Sequence, residues 1–448
     1  MNNVTANRSM VRIKISAAVF VFLLTPLILN AQSPDSLVGE ALLNNPKLKS
    51  LEYKTKSAEF RADGAASLPA PTIGIEFGEV PVGKYNLFND AFSNKLSFSQ
   101  MFMPGGKLSA MSEVENKNAL VVNDNYYIYK AYLIGQVKMS YYSVWIIERK
   151  IEIQKKTIEL YNELINSQQS LYSVNKISQA DVLTLKSETA SGNTQVLVLL
   201  RQKEAEVYRL NKLLGRELLR QDIVTDSSLK NEEIPAVAQK ELEDKLISVN
   251  PSLKQMTSMI EMNKAMITAN QKDRIPDLMV QAMFMRQPQG MFLTTKTDLA
   301  MLGMEEAKTE YMYSLMVSVT LPFAPWSAGK YKAKEEELAA GIRAVEYEKI
   351  DMQREMISRL NVAFTKLRTA EDMIKLYSTD VIPLYEQATS AQLSAYQNSR
   401  VNAGVVIDSY RMLLMQQMNY YMAQADYQMA VAEIEMMVGK ELKNGEQK

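Results

Sequence analysis

The sequence predicts a mainly α-helical chain with a small transmembrane β part, built from one helix–strand–strand–long helix–helix unit written twice. Three observations carry this prediction. From Gly106 to Tyr172 no proline interrupts the chain and Gly135 is the sole internal glycine. Over that stretch Ile128, Leu133, Val137, Tyr141, Val144, Ile147, Ile151, Ile158, Tyr161 and Ile165 recur at helical spacing, with Lys, Glu, Gln and Asn between them. That is an amphipathic helix of roughly 100 Å at about 1.5 Å per residue, a length that spans a distance rather than filling a core.

The second observation is internal repetition. Gly106-Lys107 returns as Gly329-Lys330, and Asn45-Pro46 as Asn250-Pro251. Tyr172 and the segment Leu214 to Leu218 return 224 positions later as Tyr396 and Val438 to Leu442. A repeat of this period marks one structural unit used twice. The third observation is a change of period from helical to two in four short runs, the signature of strands with one apolar and one polar face.

Taken in order, the N-terminus carries an address. Arg8, Arg12 and Lys14 precede an apolar run from Ile15 to Leu29, and Asn30-Ala31-Gln32 then offers a small residue for cleavage. This reads as a secretory signal peptide over 1–31, cut near Ala31; an anchoring helix is the alternative, and the run is short for a span. The first repeat is placed at 32–220. A helix is expected from Asp35 to about Ser67, where Pro69 and Pro71 stop it. Strands follow at about 72–78, with Ile73, Ile75 and Phe77 on one face, and at about 95–103, with Leu96, Phe98 and Phe102 set against Ser97, Ser99 and Met101. The segment 79–94 between them reads as loop. Pro104-Gly105-Gly106 opens the long helix to about 172, and a return helix runs over about 178–214.

A polar linker is expected at 221–240, and the second repeat at 241–442. It begins with a helix from Pro251 to about Asp273. Strands are expected at about 277–286 and 313–321. In the first, Leu278, Val280, Ala282 and Phe284 alternate with Met279, Gln281, Met283 and Met285. In the second, Leu315, Val317, Val319 and Leu321 alternate with Ser314, Met316, Ser318 and Thr320. A second long helix is expected over about 329–396, kinked at Pro383, with a return helix over about 404–438 and a charged tail at 443–448.

Composition excludes several classes of function. Lysine plus arginine equal aspartate plus glutamate at 51 each, so no net field favours nucleic acid. Histidine and cysteine are both absent, which removes imidazole acid–base chemistry, thiol nucleophiles, disulfides, lipid attachment at an N-terminal cysteine, and metal sites built on imidazole or thiolate. No paired carboxylates or Lys/Ser arrangement point to an enzyme, and no cofactor is expected. The alternating runs have the length of transmembrane β-strands, lipid outside and water inside. A soluble sheet with one buried face is the bland alternative. Four strands cannot close a wide barrel and open edges are not tolerated in lipid, so the membrane reading requires oligomerisation; three chains give twelve strands.

The order of elements and the helix-tip turns resemble the TolC-like outer-membrane efflux family over about 35–442. In that family the tip reads Tyr-x-x-Gly, a small polar residue, then Asp-Val-Leu. The first copy here is Tyr172-Ser-Val-Asn175-Lys176-Ile-Ser178-Gln-Ala-Asp181-Val-Leu183. The second is Tyr396-Gln-Asn-Ser399-Arg400-Val-Asn402-Ala-Gly-Val405-Val-Ile407-Asp408. Asn175 stands where the family has glycine, and asparagine also tolerates the left-handed conformation of a tight helix exit. The resemblance implies a homotrimer with a 12-stranded barrel in the outer membrane and a 12-helix tunnel across the periplasm. It also implies tips that dock a periplasmic membrane-fusion adaptor beside an inner-membrane pump, of the RND type. Tyr172, Asn175, Lys176, Ser178, Asp181, Tyr396, Ser399 and Asn402 would form the docking turns. The family constricts its tips with two aspartates; Val405 replaces the first and Asp408 retains the second. Three copies of Asp408 would bind cations and repel anions, the alternative being a solvated turn residue. Arg400 lies one position from the arginine that locks such tips in relatives.

Methionine numbers 28, and eight fall between Met279 and Met316, where an even spread would put two or three. Met279, Met283, Met285 and Met316 share the face opposite the apolar one, and Met101 lies with Ser97 and Ser99. Thioethers are soft ligands that select Cu(I) and Ag(I), so these five are candidate metal ligands along a lumen path. Among TolC relatives the monovalent-metal exporters of the CusC kind are the nearest analogy; they often carry a lipid-modified cysteine that is lacking here. The alternative is adaptable packing. Met415, Met422, Met429 and Met436, seven apart on the last helix, read as a packing stripe of that kind.

Overall fold

The structure is a computed structural model and describes residues 32–173, 179–220, 223–229, 238–288, 309–398 and 400–439. The expected signal segment 1–31, the Met291, Met301 and Met304 positions and the tail lie outside those residues.

The chain opens with α1 (Pro34–Asn44) and α2 (Pro46–Ala65), not with one continuous helix as expected. The break is chemical. Asn45 adopts an extended conformation, its side-chain oxygen accepts the Leu48 N–H at 3.0 Å, and Pro46 fills the first helical position, where no N–H is needed. Strand β1 (Thr72–Gly78) is followed by a connection that contains a one-turn helix, α3 (Leu87–Asp90), where only loop was expected. Next come β2 (Ser93–Phe102), the long α4 (Lys107–Ser173) and α5 (Gln179–Leu214).

The second repeat follows the same order. Helix α6 (Ala238–Val249) precedes α7 (Pro251–Lys272), again split at an Asn-Pro pair. Strands β3 (Leu278–Gln287) and β4 (Glu310–Val319) lead to α8 (Pro325–Leu376). The expected kink at Pro383 takes another form. A five-residue π segment, Tyr377–Val381, joins α8 to α9 (Ile382–Gln397), and the Ile382 N–H reaches back five residues to the Tyr377 carbonyl. Pro383 has no N–H and its ring crowds the carbonyl four residues earlier, so the wider turn ahead of it absorbs the mismatch within a continuing helix. Helix α10 (Ala403–Val438) closes the fold.

Length decides the shape. At about 1.5 Å per residue, α4 is about 100 Å long, and α8 to α9 about 110 Å. Helix α4 is central, packing against α2, α5, α7 and α10; α8 packs against α7 and α10. Burial is divided among separate clusters along this length. One joins Leu37 and Val38 of α1 to Leu133, Val137, Tyr141 and Val144 of α4 and Leu210 and Leu214 of α5. A second joins Leu246 of α6 and Leu253 of α7 to Leu360, Phe364 and Leu367 of α8 and to Tyr427 and Ile434 of α10. A third, near the tips, joins Tyr161, Leu164 and Ile165 to Leu185 and Ile407.

The four strands form one antiparallel sheet in the order β1-β2-β3-β4. It is open, with β1 and β4 as its edges, so a single chain makes no closed barrel. No helix among the described residues is long and apolar enough to cross a membrane, a finding that concerns helices and not strands.

The methionine stripe on α10 is only partly a packing stripe. Met436 lies against Gly135 of α4, where an added Cβ would come within 2.8 Å of it, and Met429 packs on the first cluster. Met415 and Met422, nearer the tip, are exposed in the single chain.

Candidate functional site

The sheet has two unlike faces, and the register defines them. One carries Ile73 and Ile75 from β1, Leu96 and Phe98 from β2, Phe284 from β3 and Leu315 and Val317 from β4. These side chains are open to the surroundings; Ile75 and Leu315 are each 70% exposed. A soluble sheet would cover such a face, whereas lipid covers it in a barrel.

The other face brings together all five methionines expected there. Met101 lies directly opposite Met279. Met283 sits between Ser97 and Ser314, and Met316 opposes Gln281. Met285 opposes Met312, a residue the sequence reading left out because β4 begins three residues earlier than expected. The remaining positions are polar or glycine: Thr72, Ser99 and Ser318, Gly74 and Gly78, with Glu76 and Lys95 paired at 2.8 Å.

The junction of sheet and helices is held by charge. Gly105 and Gly106 both have φ near +78°, which turns the chain from β2 into α4, and Gly105 meets Ile275 so closely that a Cβ would fall 2.3 Å from it. The Lys107 ammonium, only 4% exposed, then donates to Asp277 at 2.6 Å, just ahead of β3. One ion pair thereby ties the first long helix to the strand of the other repeat. Lys330, the repeat counterpart of Lys107, borders the same polar groove together with Asp273 and Glu337.

At the other end of the helices lie the tips. Tyr172 and Asp181 fall in the last turn of α4 and the first turn of α5; Asn175, Lys176 and Ser178 lie outside the described residues, as does Ser399. The second tip falls within the described residues but for Ser399. Asn402 caps α10 by accepting the Val405 N–H at 3.2 Å. Tyr396 packs against the third cluster. Arg400 is exposed, and its backbone N–H donates to the Ala395 carbonyl at 2.9 Å.

Asp408 is exposed, as a constriction residue needs to be, but it is not alone. Arg411, one turn on, donates to it at 3.2 Å and reaches Glu188 of α5 at 3.1 Å. Tyr161 of α4 joins the same cluster, and burial raises its pKa above the ordinary phenol value while the Arg411 charge opposes that rise. Arg411, Glu188 and Tyr161 link three helices just inside the tip. The i,i+3 spacing of Asp408 and Arg411 is visible in the sequence; the reach from Arg411 to Glu188, 223 positions apart, is not. Arg400 and Asp408 form no ion pair or hydrogen bond with each other.

The family model described as "Outer membrane efflux protein" matches residues 37–216, the first of the two repeats. No curated protein matches the chain. Among solved structures, CusC, described in terms of its transmembrane channel formation, superposes with a TM-score of 0.71 at 16% identity, covering 92% of each chain. The open-state MtrE outer membrane channel of Neisseria gonorrhoeae gives 0.70 at 15% identity, covering 93% of this chain and 91% of its own. The outer membrane protein VceC of Vibrio cholerae gives 0.68 at 14%, covering 92% and 97%. At these identities the likeness speaks for the fold, and it extends over both repeats.

Proposed function

We propose that this chain, which carries the outer membrane efflux protein signature in its first repeat and the channel fold throughout, is the outer-membrane exit duct of a tripartite efflux system. The observation that carries the reading is the two-faced open sheet set on helices of about 100 Å. A sheet apolar on one side and polar on the other, with both edges unpaired, is unstable in lipid as a single copy. Joining the β4 edge of one copy to the β1 edge of the next removes every edge when the ring closes, and three copies give twelve strands around an aqueous lumen. The same joint sets α8 beside α2 and α5 of the neighbour. It covers exposed apolar side chains on both sides, among them Tyr347 and Ile350 on α8, Tyr53 and Phe60 on α2, and Leu197 on α5.

The duct catalyses nothing; free energy comes from an inner-membrane pump, and a periplasmic adaptor bridges pump and duct. The tip turns, Tyr172 to Asp181 and Tyr396 to Asn402, are the docking surface. Asp408 lines the constriction, where Arg411 and Glu188 leave one net negative charge per chain across the three side chains. Arg400, exposed in the turn ahead of α10, belongs to the same rim. The rival reading, a secreted coiled-coil scaffold without a pore, leaves the exposed apolar sheet face without a role.

The test uses the full chain extracted from outer membranes in mild detergent. A particle of three chains that conducts ions in a planar bilayer is expected. A monodisperse monomer that conducts nothing would overturn the duct. Within that assay, Asp408→Asn should weaken cation preference, and an unchanged preference would remove Asp408 from the constriction.

A further inference from the structure

We infer that the polar face of the sheet is a thioether ladder that carries soft monovalent cations, Cu(I) and Ag(I), through the barrel. The inference rests on the duct reading above and names its cargo. The register supplies the argument. Met101 and Met279 are directly opposed. Met316 is diagonal to both Met279 and Met283, since its own partner Gln281 lies between them. Met312 is diagonal to Met283 and directly opposite Met285. Six methionines thus form one unbroken series in which each is a cross-strand neighbour of the next.

Distances make the series usable. Directly opposed residues on one face have Cβ atoms about 4.5–5.5 Å apart and diagonal ones about 7–8 Å. A methionine side chain has three rotatable bonds and a polarisable sulfur at its end, so two neighbours can share one ion at every step. From Met279 to Met285 the series runs about 20 Å along the strand at about 3.3 Å per residue, which at the usual strand tilt is about 15 Å of height, over half of the apolar band of a barrel. An ion can therefore pass from one sulfur pair to the next without full rehydration, and no site is so strong as to hold it. Conduction needs that balance.

The surroundings favour soft ions over hard ones. The other residues of this face are mostly hydroxyl, amide or glycine; of its two carboxylates, Glu76 is paired with Lys95 and Glu310 stands at the loop end of β4, beyond Met312. Among the described residues no group of three or more His, Cys, Asp or Glu converges as a cation site. Zinc, cobalt and other borderline or hard divalent ions find few ligands there, whereas thioethers suit Cu(I) and its analogue Ag(I). Packing does not account for the series. No helix among the described residues packs extensively against the sheet, and Met316 is 47% exposed.

The experiment takes the detergent-purified full-length assembly in a planar bilayer in potassium nitrate, with silver nitrate as the probe. Ag(I) is expected to reduce the current reversibly. Replacing all six ladder residues with leucine should leave the open conductance in place and raise the half-blocking Ag(I) concentration about tenfold or more. Where that variant does not assemble, Met285→Leu with Met312→Leu should still raise it severalfold. The control Met415→Leu with Met422→Leu, which changes exposed methionines of α10, should block as the parent does. Equal block of parent and ladder variants, or loss of block in the control, would overturn the ladder and leave the duct intact. Absence of any current from the parent would overturn the duct, and the ladder with it.

Discussion

The chain builds the same corner twice, and the two corners differ in what surrounds them. At the first, Asn45 caps α2 and donates its Nδ2 to the Leu213 carbonyl at 2.8 Å, while Gly215 ends α5 with φ +72°. At the second, Asn250 caps α7 and donates to the Met437 carbonyl at 2.7 Å, while Gly439 ends α10 with φ +72°. One device thus joins the start of a short helix to the end of a return helix in each repeat. It satisfies an N-terminal N–H and a C-terminal carbonyl with a single side chain. The side chains around it have diverged. The first corner is pinned by Arg216 on Glu40 and by backbone packed tightly on Gly215. The second is tied by Glu435 of α10, buried against Lys138 of α4, which also lies 3.6 Å from Asp35 of α1. Duplication has kept what the backbone needs and left the side chains free to specialise.

The largest effect is expected where that specialisation buries charge. Lys138 and Glu435 are both under a tenth exposed and meet at 2.7 Å. Lys138→Met takes the ammonium away from the buried Glu435 carboxylate, at a cost of up to about 3–5 kcal/mol. Lys138→Met combined with Glu435→Leu should recover most of that loss, because the desolvation penalty of both ions disappears as well. Urea unfolding of the four members of the cycle measures it. If the double variant is as unstable as the single, the pair is more than a paired charge, and the second corner depends on its particular hydrogen bonds.

A smaller and sharper difference is expected between the two glycines. Both have positive φ, so alanine at either position costs about 1–2 kcal/mol for the left-handed conformation alone. At Gly439 an added Cβ meets, among the described residues, only the Pro251 ring, at 3.7 Å, an ordinary contact. At Gly215 it falls 2.5 Å from the Asn44 carbonyl oxygen and 2.8 Å from its carbon, neither of which is a flexible side-chain end. Gly215→Ala should therefore destabilise clearly more than Gly439→Ala. Equal shifts in the denaturation midpoints would mean that the first corner is as loosely packed as the second.

The corners also mark how far the sequence could be read. The Asn-Pro pairs were visible as a repeat, yet Asn45-Pro46 was passed over as a helix break because Leu42, Leu48 and Leu51 keep helical spacing across it. The strands were legible because their period changes abruptly, and the faces assigned to Met279, Met283, Met285 and Met316 agree with the register. Met312 was missed because Tyr311 and Tyr313 flank it on the apolar face at the strand's loop end, where the alternation is short. Pro383 was legible as a disturbance, but whether a helix kinks or widens depends on packing that single-chain periodicity does not encode. The links from Arg411 to Glu188 and from Lys138 to Glu435 join residues 223 and 297 positions apart, and nothing local in the sequence announces them.

The smallest expected effect concerns pH and sharpens the same contrast. Tyr142 of α4 lies beside the Lys138–Glu435 pair, and burial pushes its pKa far up, with the neighbouring Tyr141 phenol and the carboxylates of Glu435 and Asp35 adding to the shift. A phenol is neutral when protonated, so the folded chain holds this proton to a higher pH than the unfolded chain does. Below about pH 10, the ordinary tyrosine value, both states are protonated and Tyr142 gives stability no slope. Above it the unfolded state ionises first, and stability falls by about 1.4 kcal/mol per pH unit for this one group. Tyr142→Phe should change little at neutral pH and remove that part of the alkaline slope, measured as urea midpoints between about pH 9 and pH 11. If the slope is unchanged, the phenol ionises in the folded state, and water reaches the pair that ties the second corner.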